Sequence, residues 1–209
     1  MSEAVETPKN NGGRMISARD VHIAKVTQDD ATAYKTETPA KLAKTIKIKV
    51  NDKKTLEKIY SDDGVEDTIT TYEGTEIELE LNALSPQERS ILFGAVYKDG
   101  YLIHNKNDQP TPLALGYRAK RLSGKYRFTW YYIGVFGEGL EETLETMEDK
   151  IKTQTVTLKG TFYERKKDEN FKVEVDEAFL LEDNKGAAAA IKDWFSEVQE
   201  HKENASVAG

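Results

Sequence analysis

The segment spanning residues 111–136 most constrains how this chain can fold. Its apolar residues alternate on either side of Ser123-Gly124, which predicts two antiparallel strands and a tight turn, because glycine adopts positive φ without steric cost. The second strand is apolar on both faces: one carries Tyr126, Phe128, Trp130, Tyr132 and Phe136, and the other carries Tyr131, Ile133 and Val135. An edge hairpin normally keeps one face in water, so a second sheet, a helix or another subunit must cover each face here.

The composition predicts a single domain that needs no covalent or metal crosslink. The chain has 209 residues and no cysteine, which excludes disulfides, thiolate catalysis and cysteine-based metal sites. Its net charge of −7 disfavours tight binding to nucleic acid phosphates. No segment is apolar for long enough to cross a membrane, so we expect no membrane anchor.

Alternation with a period of two predicts a strand-rich chain. The clearest strand spans residues 75–81, with Ile77, Leu79 and Leu81 on one face and glutamates on the other. Similar patterns predict strands at residues 20–26, 45–50, 153–162 and 171–175. Because turns rather than helices connect most of these strands, we expect a mainly β (α+β) fold: an antiparallel β-sandwich or flattened barrel with a mid-chain helix and a C-terminal helix.

The two helices are predicted from their starting residues and their periodicity. Ser85, Pro86 and Glu88 form the sequence of a capping box, with proline at the first helical position. The buried stripe of this helix is expected to contain Ile91, Leu92, Ala95 and Val96. The second helix is expected at residues 187–198, where apolar residues recur at helical spacing: Ile191, Trp194, Phe195 and Val198.

The remaining segments are predicted to be arms, tails or loops around one domain at residues 18–199. Residues 1–17 contain Asn10-Asn11-Gly12-Gly13 and few apolar residues, which predicts a flexible N-terminal arm. Residues 200–209 are expected to fray. Residues 51–73 mix turn residues with a threonine cluster, which predicts an extended loop, and loops of this length are usually functional or mobile.

No catalytic, cofactor-binding or metal-binding residue is predicted. His22, His104 and His201 lack the spacing of metal ligands, and no phosphate-binding glycine loop or nucleophile elbow is present. Adjacent carboxylates occur at residues 62–63 and elsewhere, but a hydrolase needs two of them to converge in a cleft, and solvated acidic loops are the commoner explanation. We therefore expect a protein that is not an enzyme and uses no cofactor.

Two groups of charged residues each allow two interpretations. The row Glu76, Glu78 and Glu80 is either a solvated sheet face neutralised by Lys47 and Lys49, or a negative surface that repels a polyanion. The basic cluster near the 123–124 turn suggests phosphate binding or charge pairing between subunits. Its members are Arg118, Lys120, Arg121, Lys125 and Arg127.

Several short motifs, taken in order, resemble the major tail (tail tube) proteins of long-tailed, non-contractile phages and prophages of Gram-positive bacteria. The central motifs are Leu115-Gly116-Tyr117-Arg118, Gly124-Lys125-Tyr126-Arg127, Trp130, Gly134 and Phe136. Three others are similar as well: Tyr60-Ser61-Asp62-Asp63-Gly64, Gly160-Thr161-Phe162 and Asp193-Trp194-Phe195. The resemblance covers residues 19–198, and the order and spacing of the motifs carry it.

The resemblance implies a structural subunit that assembles as stacked hexameric rings around the exit path of a genome. The implied partners are other copies of the chain, a tape measure protein, and tail terminator and tip proteins, while double-stranded DNA passes through without specific binding. The implied location is the tail of the virion, after assembly in the host cytoplasm. No catalytic residue or cofactor is carried over, because the family is structural.

Under this resemblance three sets of residues are candidate sites. Candidate lumen-facing acidic residues are Glu76, Glu78 and Glu80. Candidate ring-to-ring loop residues are Lys53, Leu56, Ile59, Tyr60, Asp62 and Asp63. Candidate subunit-interface residues are Arg127, Tyr131, Ile133 and Val135. The alternative function is a monomeric β-sandwich module that binds carbohydrate or another ligand through an exposed aromatic platform of Trp130, Tyr131 and Tyr132.

Overall fold

β-strands account for most of the computed structural model, which describes residues 12–61, 64–142, 144 and 155–201. The strands of the described residues are β1 (Met15–Asp29), β2 (Tyr34–Thr36), β3 (Ala40–Lys41), β4 (Thr45–Ser61), β5 (Gly64–Leu81), β6 (Val96–Lys98), β7 (Tyr101–Ile103), β8 (Leu113–Arg121), β9 (Tyr126–Val135), β10 (Leu140–Glu142), β11 (Val156–Tyr163) and β12 (Lys172–Asp176). The helices are α1 (Pro86–Phe93) and α2 (Lys185–Ala190), and a 3-10 turn (Ile191–Asp193) follows α2. The prediction of a mainly β fold with two helices is confirmed.

Ten strands of the described residues form one antiparallel sheet in the order β2-β1-β8-β9-β11-β5-β4. The other three strands of this sheet lie beside that path, with β3 next to β1, β10 next to β11 and β12 next to β9. Strand β9 is shared, because residues 127–131 pair with β12 and residues 133–135 pair with β11. The sheet branches at this strand and does not close into a barrel within the described residues.

One face of the sheet forms the main core. Val21 of β1 and Leu79 of β5 belong to the same buried cluster, although their strands lie far apart in the sheet order. The sheet therefore curls so that these strands meet across the core. Leu92 of α1 joins the cluster, which also contains Ile23, Ile77, Leu81, Leu113, Leu115, Tyr117, Tyr131, Phe136, Val156, Leu158 and Phe162.

The opposite face of the β8–β9 hairpin packs against the C-terminal segment of the same chain. Phe128, Trp130 and Tyr132 of β9 form a second buried cluster with Trp194. The indole Nε1 of Trp130 donates a hydrogen bond to the backbone oxygen of Trp194 at 3.0 Å. The ring of Phe195 meets the Trp130 ring edge-on, with 6.0 Å between their centroids. Both faces of the hairpin are thus covered within one chain, and their burial requires no second subunit.

A β-bulge in β9 changes which of its residues share a face. Tyr132 and Ile133 together oppose a single residue of β8, so the alternation reverses beyond them. As a result Phe136 lies in the main core, whereas uninterrupted alternation predicts it on the opposite face. Gly134 is required at this point, because a Cβ there would lie 2.4 Å from the ring of Phe162.

Strand β1 begins before the predicted boundary of the domain. Met15 pairs with Arg121 and Ser17 pairs with Lys120, so residues 15–17 of the predicted flexible arm belong to the sheet. The backbone groups of β8 extend to Arg121 and give this segment hydrogen-bonding partners. Residues 1–11 of the arm and residues 202–209 of the predicted tail lie outside the described residues.

Helix α1 begins with the predicted capping box. The Ser85 hydroxyl accepts from the Glu88 amide at 3.2 Å, and the Glu88 carboxylate accepts from the Ser85 amide at 2.7 Å. The helix ends at Gly94, which adopts a left-handed conformation with φ of 71°. The predicted buried stripe is only half correct, since Leu92 and Ala95 are buried whereas Ile91 and Val96 are exposed.

The C-terminal segment makes the predicted contacts, but its α-helix is shorter than predicted. The helix α2 ends at Ala190 and a 3-10 turn follows, so the predicted range of residues 187–198 is wrong beyond Ala190. The backbone oxygen of Trp194 accepts from the Trp130 indole in place of a helical amide. Packing against the second cluster still involves the predicted side chains, which are Ile191, Trp194, Phe195 and Val198.

Candidate assembly surface

The hairpin of β4 and β5 extends far beyond the body of the sheet. Its antiparallel register continues from the pair Lys54–Tyr72 to the pair Ser61–Gly64. We call residues 53–61 and 64–72 the ribbon. The sequence predicts an extended loop over residues 51–73, and the structure corrects this to a two-stranded antiparallel ribbon in the described residues of that range, with a shift of register between Ile59 and Tyr60. The alternation typical of strands is absent here because neither face is buried, so neither face has to be apolar.

The ribbon exposes large apolar side chains on both of its faces. The exposed fractions are 57% for Leu56, 44% for Ile59, 66% for Tyr60 and 48% for Ile69. The register places Leu56 on one face and places Ile59 and Ile69 on the other. A two-stranded ribbon is at best marginally stable without cover. Both faces are therefore available to a partner.

Four of the six predicted ring-to-ring residues lie on the ribbon and are exposed: Lys53, Leu56, Ile59 and Tyr60. Asp62 and Asp63 lie outside the described residues. Sequence reasoning missed Ile69, which sits within the threonine cluster at residues 68–71. The β-branched residues of that cluster were the available signal for a strand. The ring-to-ring role itself stays a prediction.

The acidic row of β5 lies beside lysines on the same sheet face. Each glutamate has a cross-strand lysine neighbour, in the pairs Glu80–Lys47, Glu78–Lys49 and Glu76–Lys53. The ammonium of Lys49 lies 3.9 Å from the Glu78 carboxylate. A hydrogen bond from Lys53 lowers the pKa of Glu76 below its usual value. The row is therefore part of a sheet face of mixed charge, and the lumen-facing assignment stays a prediction.

The basic cluster is largely neutralised within the chain. Its arginines pair with three acidic residues: Arg118 with Asp20, Arg121 with Asp176, and Arg127 with Glu174. The ammonium of Lys125 donates to the backbone oxygen of Glu177 at 3.3 Å. These intrachain contacts leave less positive charge for phosphates or for a neighbouring subunit.

Two of the four predicted subunit-interface residues are buried inside the chain. Tyr131 is 1% exposed in the main core, and Ile133 is 5% exposed where β9 pairs with β11. Their side chains cannot reach another subunit in this fold, so that part of the assignment is wrong. Arg127 and Val135 are half-buried, and an interface role remains a prediction for these two.

The aromatic platform of the alternative function does not exist in this structure. Trp130, Tyr131 and Tyr132 are 0%, 1% and 2% exposed, respectively. Consecutive residues of a strand point to opposite faces, so Tyr131 enters the main core while its two neighbours enter the second cluster. None of the three rings presents a face on which a sugar could stack.

Strands β6 and β7 form a second exposed apolar hairpin that sequence reasoning missed. Asp99 and Gly100 connect them with positive φ values of 52° and 84°, the geometry of a tight hairpin turn. An Asp-Gly pair between two short apolar runs is the sequence signal for this element. Its exposed side chains are Val96, Tyr97, Tyr101 and Ile103.

The clefts of the described residues are open and mixed in character. One, of about 240 Å³, is lined by Glu76, Glu78 and Glu138 together with Lys49 and Lys159. The lowered pKa of Glu76 is the opposite of what a general acid requires. No group of three or more potential metal-binding side chains occurs among the described residues. Within the same part of the chain, no helix is long and apolar enough to span a membrane.

Comparison with known proteins gives little further information. No protein-family model matches the chain, and no curated protein matches it. Among solved structures it is similar to a crystal structure of Hcp protein, with 12% sequence identity over 77% of this chain and 99% of that chain. The TM-score of 0.36 is too low for this similarity to carry an argument about function or assembly.

Proposed function

We propose that this chain is a structural subunit that self-assembles into stacked rings, which form the tube of a phage tail. The ribbon reaches the neighbouring ring in this proposal. Hexameric symmetry, the tape measure, terminator and tip partners, genome delivery and residence in the virion all belong to the proposal, and the sequence resemblance supports them.

The observation that carries the proposal is the uncovered ribbon. The chain buries Phe128, Trp130 and Tyr132 of its aromatic hairpin, yet it leaves Leu56, Ile59 and Ile69 of the ribbon exposed among the described residues. Exposed strands with apolar side chains are a liability unless a partner covers them. Contact with another subunit supplies that cover.

The distribution of charge favours another copy of the chain as the partner. Copies with a net charge of −7 repel each other unless the contacting surfaces carry both signs. The ribbon carries Lys54 and Lys58 beside Glu57 and Asp67, and the adjoining sheet face alternates lysine and glutamate. Surfaces of mixed sign can pair with each other in an offset arrangement.

The ion pairs of the basic cluster support passage of DNA without adhesion. Tight binding of duplex DNA depends on cationic side chains that displace counterions from phosphates. In this chain the arginines of the basic cluster are paired with Asp20, Asp176 and Glu174. In a conduit built from such subunits, these three arginines are already paired and are not free to hold a moving duplex.

Electron microscopy of the purified chain at increasing concentration tests the proposal. The wild type is expected to form rings or tubes of uniform bore. The informative variant removes residues 56–70 and joins Thr55 to Thr71 through an Asn-Gly turn, because these two residues are directly paired in the register. This shortened chain should keep its denaturation midpoint and lose assembly.

Two results would count against the proposal in different ways. A wild type that stays strictly monomeric at every concentration argues against self-assembly. A shortened chain that still forms tubes argues against the ribbon as the contact between rings and leaves self-assembly in place.

A further inference from the structure

The root of the ribbon is held by a chain of side-chain contacts to strands outside the β4–β5 hairpin. Asp52 and Thr75 form the pair at which the ribbon leaves the sheet. The Thr75 hydroxyl donates to one Asp52 oxygen at 2.7 Å, and the Lys172 ammonium donates to the other at 3.0 Å. Lys172 belongs to β12, so Asp52 connects β4 to β12. These two strands lie on the two separate arms into which the sheet divides at β9.

Tyr72, the ribbon residue of β5 nearest the sheet, continues these contacts. The Tyr72 hydroxyl lies 2.7 Å from the Thr75 hydroxyl and 3.3 Å from the backbone oxygen of Phe162. Because Thr75 donates its single proton to Asp52, its oxygen can only accept, so Tyr72 is the donor in the shorter of these two contacts. The Tyr72 ring also stacks on the ring of Phe171, with 4.2 Å between the centroids. The hydrogen-bonded sequence therefore runs from Tyr72 through Thr75 and Asp52 to Lys172.

A bulge at the root of the ribbon, which we call the hinge, lies within this set of contacts. Gly74 adopts a φ of 119°, and a bulge separates the pairs Lys53–Gly74 and Lys54–Tyr72. Bulges bend a ribbon and raise its local twist. Tyr72 lies on the ribbon side of the bulge, whereas Asp52 and Thr75 lie on the sheet side, so the contacts cross the hinge.

We propose that Tyr72, Thr75, Asp52, Lys172 and Phe171 form a latch that fixes the angle at which the ribbon leaves the sheet, and that this fixed angle sets productive contact with the neighbouring ring. They are positioning residues for assembly. The first half of the proposal stands on the contacts alone, and the second half rests on the proposed function.

Spin-label distances measure the angle directly, because the chain has no native cysteine. Thr68→Cys on the ribbon and Thr157→Cys on β11 give a labelled pair that spans the hinge. Lys172→Met keeps the aliphatic stem over the aromatic rings and removes the ion pair, while Tyr72→Leu removes the stack and the hydroxyl. Lys159→Met is the control, since Lys159 is also a strand lysine and its ammonium lies 4.0 Å from the Glu141 carboxylate.

Both latch variants should at least double the width of the distance distribution, and the control should leave it unchanged. They should also raise the concentration needed for assembly about fivefold, as expected for loss of one hydrogen bond at a partly exposed site. Tyr72→Phe, which keeps the ring and loses the hydroxyl, replaces Tyr72→Leu if that variant does not fold.

An unchanged distribution in the latch variants overturns the latch. A broadened distribution with unchanged assembly overturns the claim that the angle matters for contact between rings. A wild type that does not assemble overturns the proposed function and the assembly half with it, while the label distances still decide whether the latch exists.

Discussion

The β8–β9 hairpin and the ribbon are both antiparallel hairpins with apolar side chains on both faces, but these side chains are mostly buried in the first and exposed in the second. β9 has a strand at each edge, the main core on one face and the C-terminal segment on the other. Beyond Tyr72 at its root, the ribbon side chains whose burial the structure describes are exposed on both faces. Apolar residues on both faces therefore do not reveal whether the cover is internal or external.

The largest expected difference between the two hairpins is in their contribution to folding. Trp130→Ala should lower the free energy of unfolding by about 4 kcal/mol, because it removes one of the two indole rings of the second cluster and leaves a cavity. Tyr60→Ala, which truncates an exposed aromatic residue of the ribbon, should change it by no more than about 0.5 kcal/mol. Urea denaturation followed by far-ultraviolet circular dichroism measures both. Equal losses would mean that the ribbon is part of the cooperative core.

A smaller effect is expected from crowding the hairpin. Gly134→Ala should destabilise the fold by about 2 kcal/mol, because the new methyl group would meet the Phe162 ring and a backbone oxygen at 2.4 and 2.6 Å. Gly186→Ala is the matched control, since α2 leaves nothing within 4 Å of that Cβ and the helix favours alanine. Thermal denaturation should show a lower midpoint for the first variant only. A tolerated Gly134→Ala would show that β9 and β11 can move apart at the bulge.

The sequence predicts a helix or strand correctly where neighbouring residues alone determine it. The capping box at Ser85 and the alternating strand that contains Ile77 follow from neighbouring residues alone, and both are confirmed. The side of β9 that holds Phe136 depends on a bulge set by pairing with β8, which no local pattern specifies. The contact between Trp130 and Trp194 likewise joins residues far apart in the sequence, and no local pattern specifies it.

The candidate site was harder to predict for a related reason. Burial produces periodicity, so a ribbon that is exposed on both faces carries none. The sequence predicts Lys53 and Leu56 in one segment, but it predicts a loop where the structure has a paired ribbon. Tyr131 was assigned to an interface because the cover from the main core on its own face cannot be deduced from the hairpin sequence.

A third prediction tests the internal cover of the hairpin by pH. Arg165 is buried with its guanidinium 3.9 Å from the centre of the Tyr132 ring, and Asp168 accepts from it at 2.7 and 2.5 Å. These hydrogen bonds lower the pKa of Asp168 from 3.8 to about 2. A lowered carboxyl pKa stabilises the fold above the unfolded value, and this contribution is lost as the pH falls through the folded value.

Asp168→Asn should therefore cost about 1 kcal/mol at neutral pH, and the difference from wild type should shrink between the two pKa values. Asp67→Asn removes a carboxylate from the exposed ribbon and should change stability by only a few tenths of a kcal/mol at any pH. Denaturation series at several pH values measure both. A constant loss of stability for Asp168→Asn across the acidic range would mean that the carboxylate charge contributes nothing to the pairing of Asp168 with Arg165.

The smallest effect on folding is expected on the ribbon, where the same substitutions should have their effect on assembly. Leu56→Ser and Ile69→Ser alter opposite faces, and each should change the free energy of unfolding by no more than about 0.5 kcal/mol. Burial of one such side chain at a contact stabilises it by about 1.5 kcal/mol or more, so its loss should raise the concentration needed for assembly about tenfold. Sedimentation at graded concentrations measures this.

The pair of variants also shows how the ribbon is covered. A ribbon lying flat on its neighbour buries one face, so only one of the two substitutions would weaken assembly. A ribbon inserted between two surfaces buries both faces, and both substitutions would weaken assembly equally. We expect the second result, because Leu56 on one face and Ile69 on the other are exposed to nearly the same extent. If neither substitution has an effect, the apolar side chains of the ribbon do not form the contact between rings. The ribbon would then differ from the β8–β9 hairpin in having apolar faces that no subunit covers.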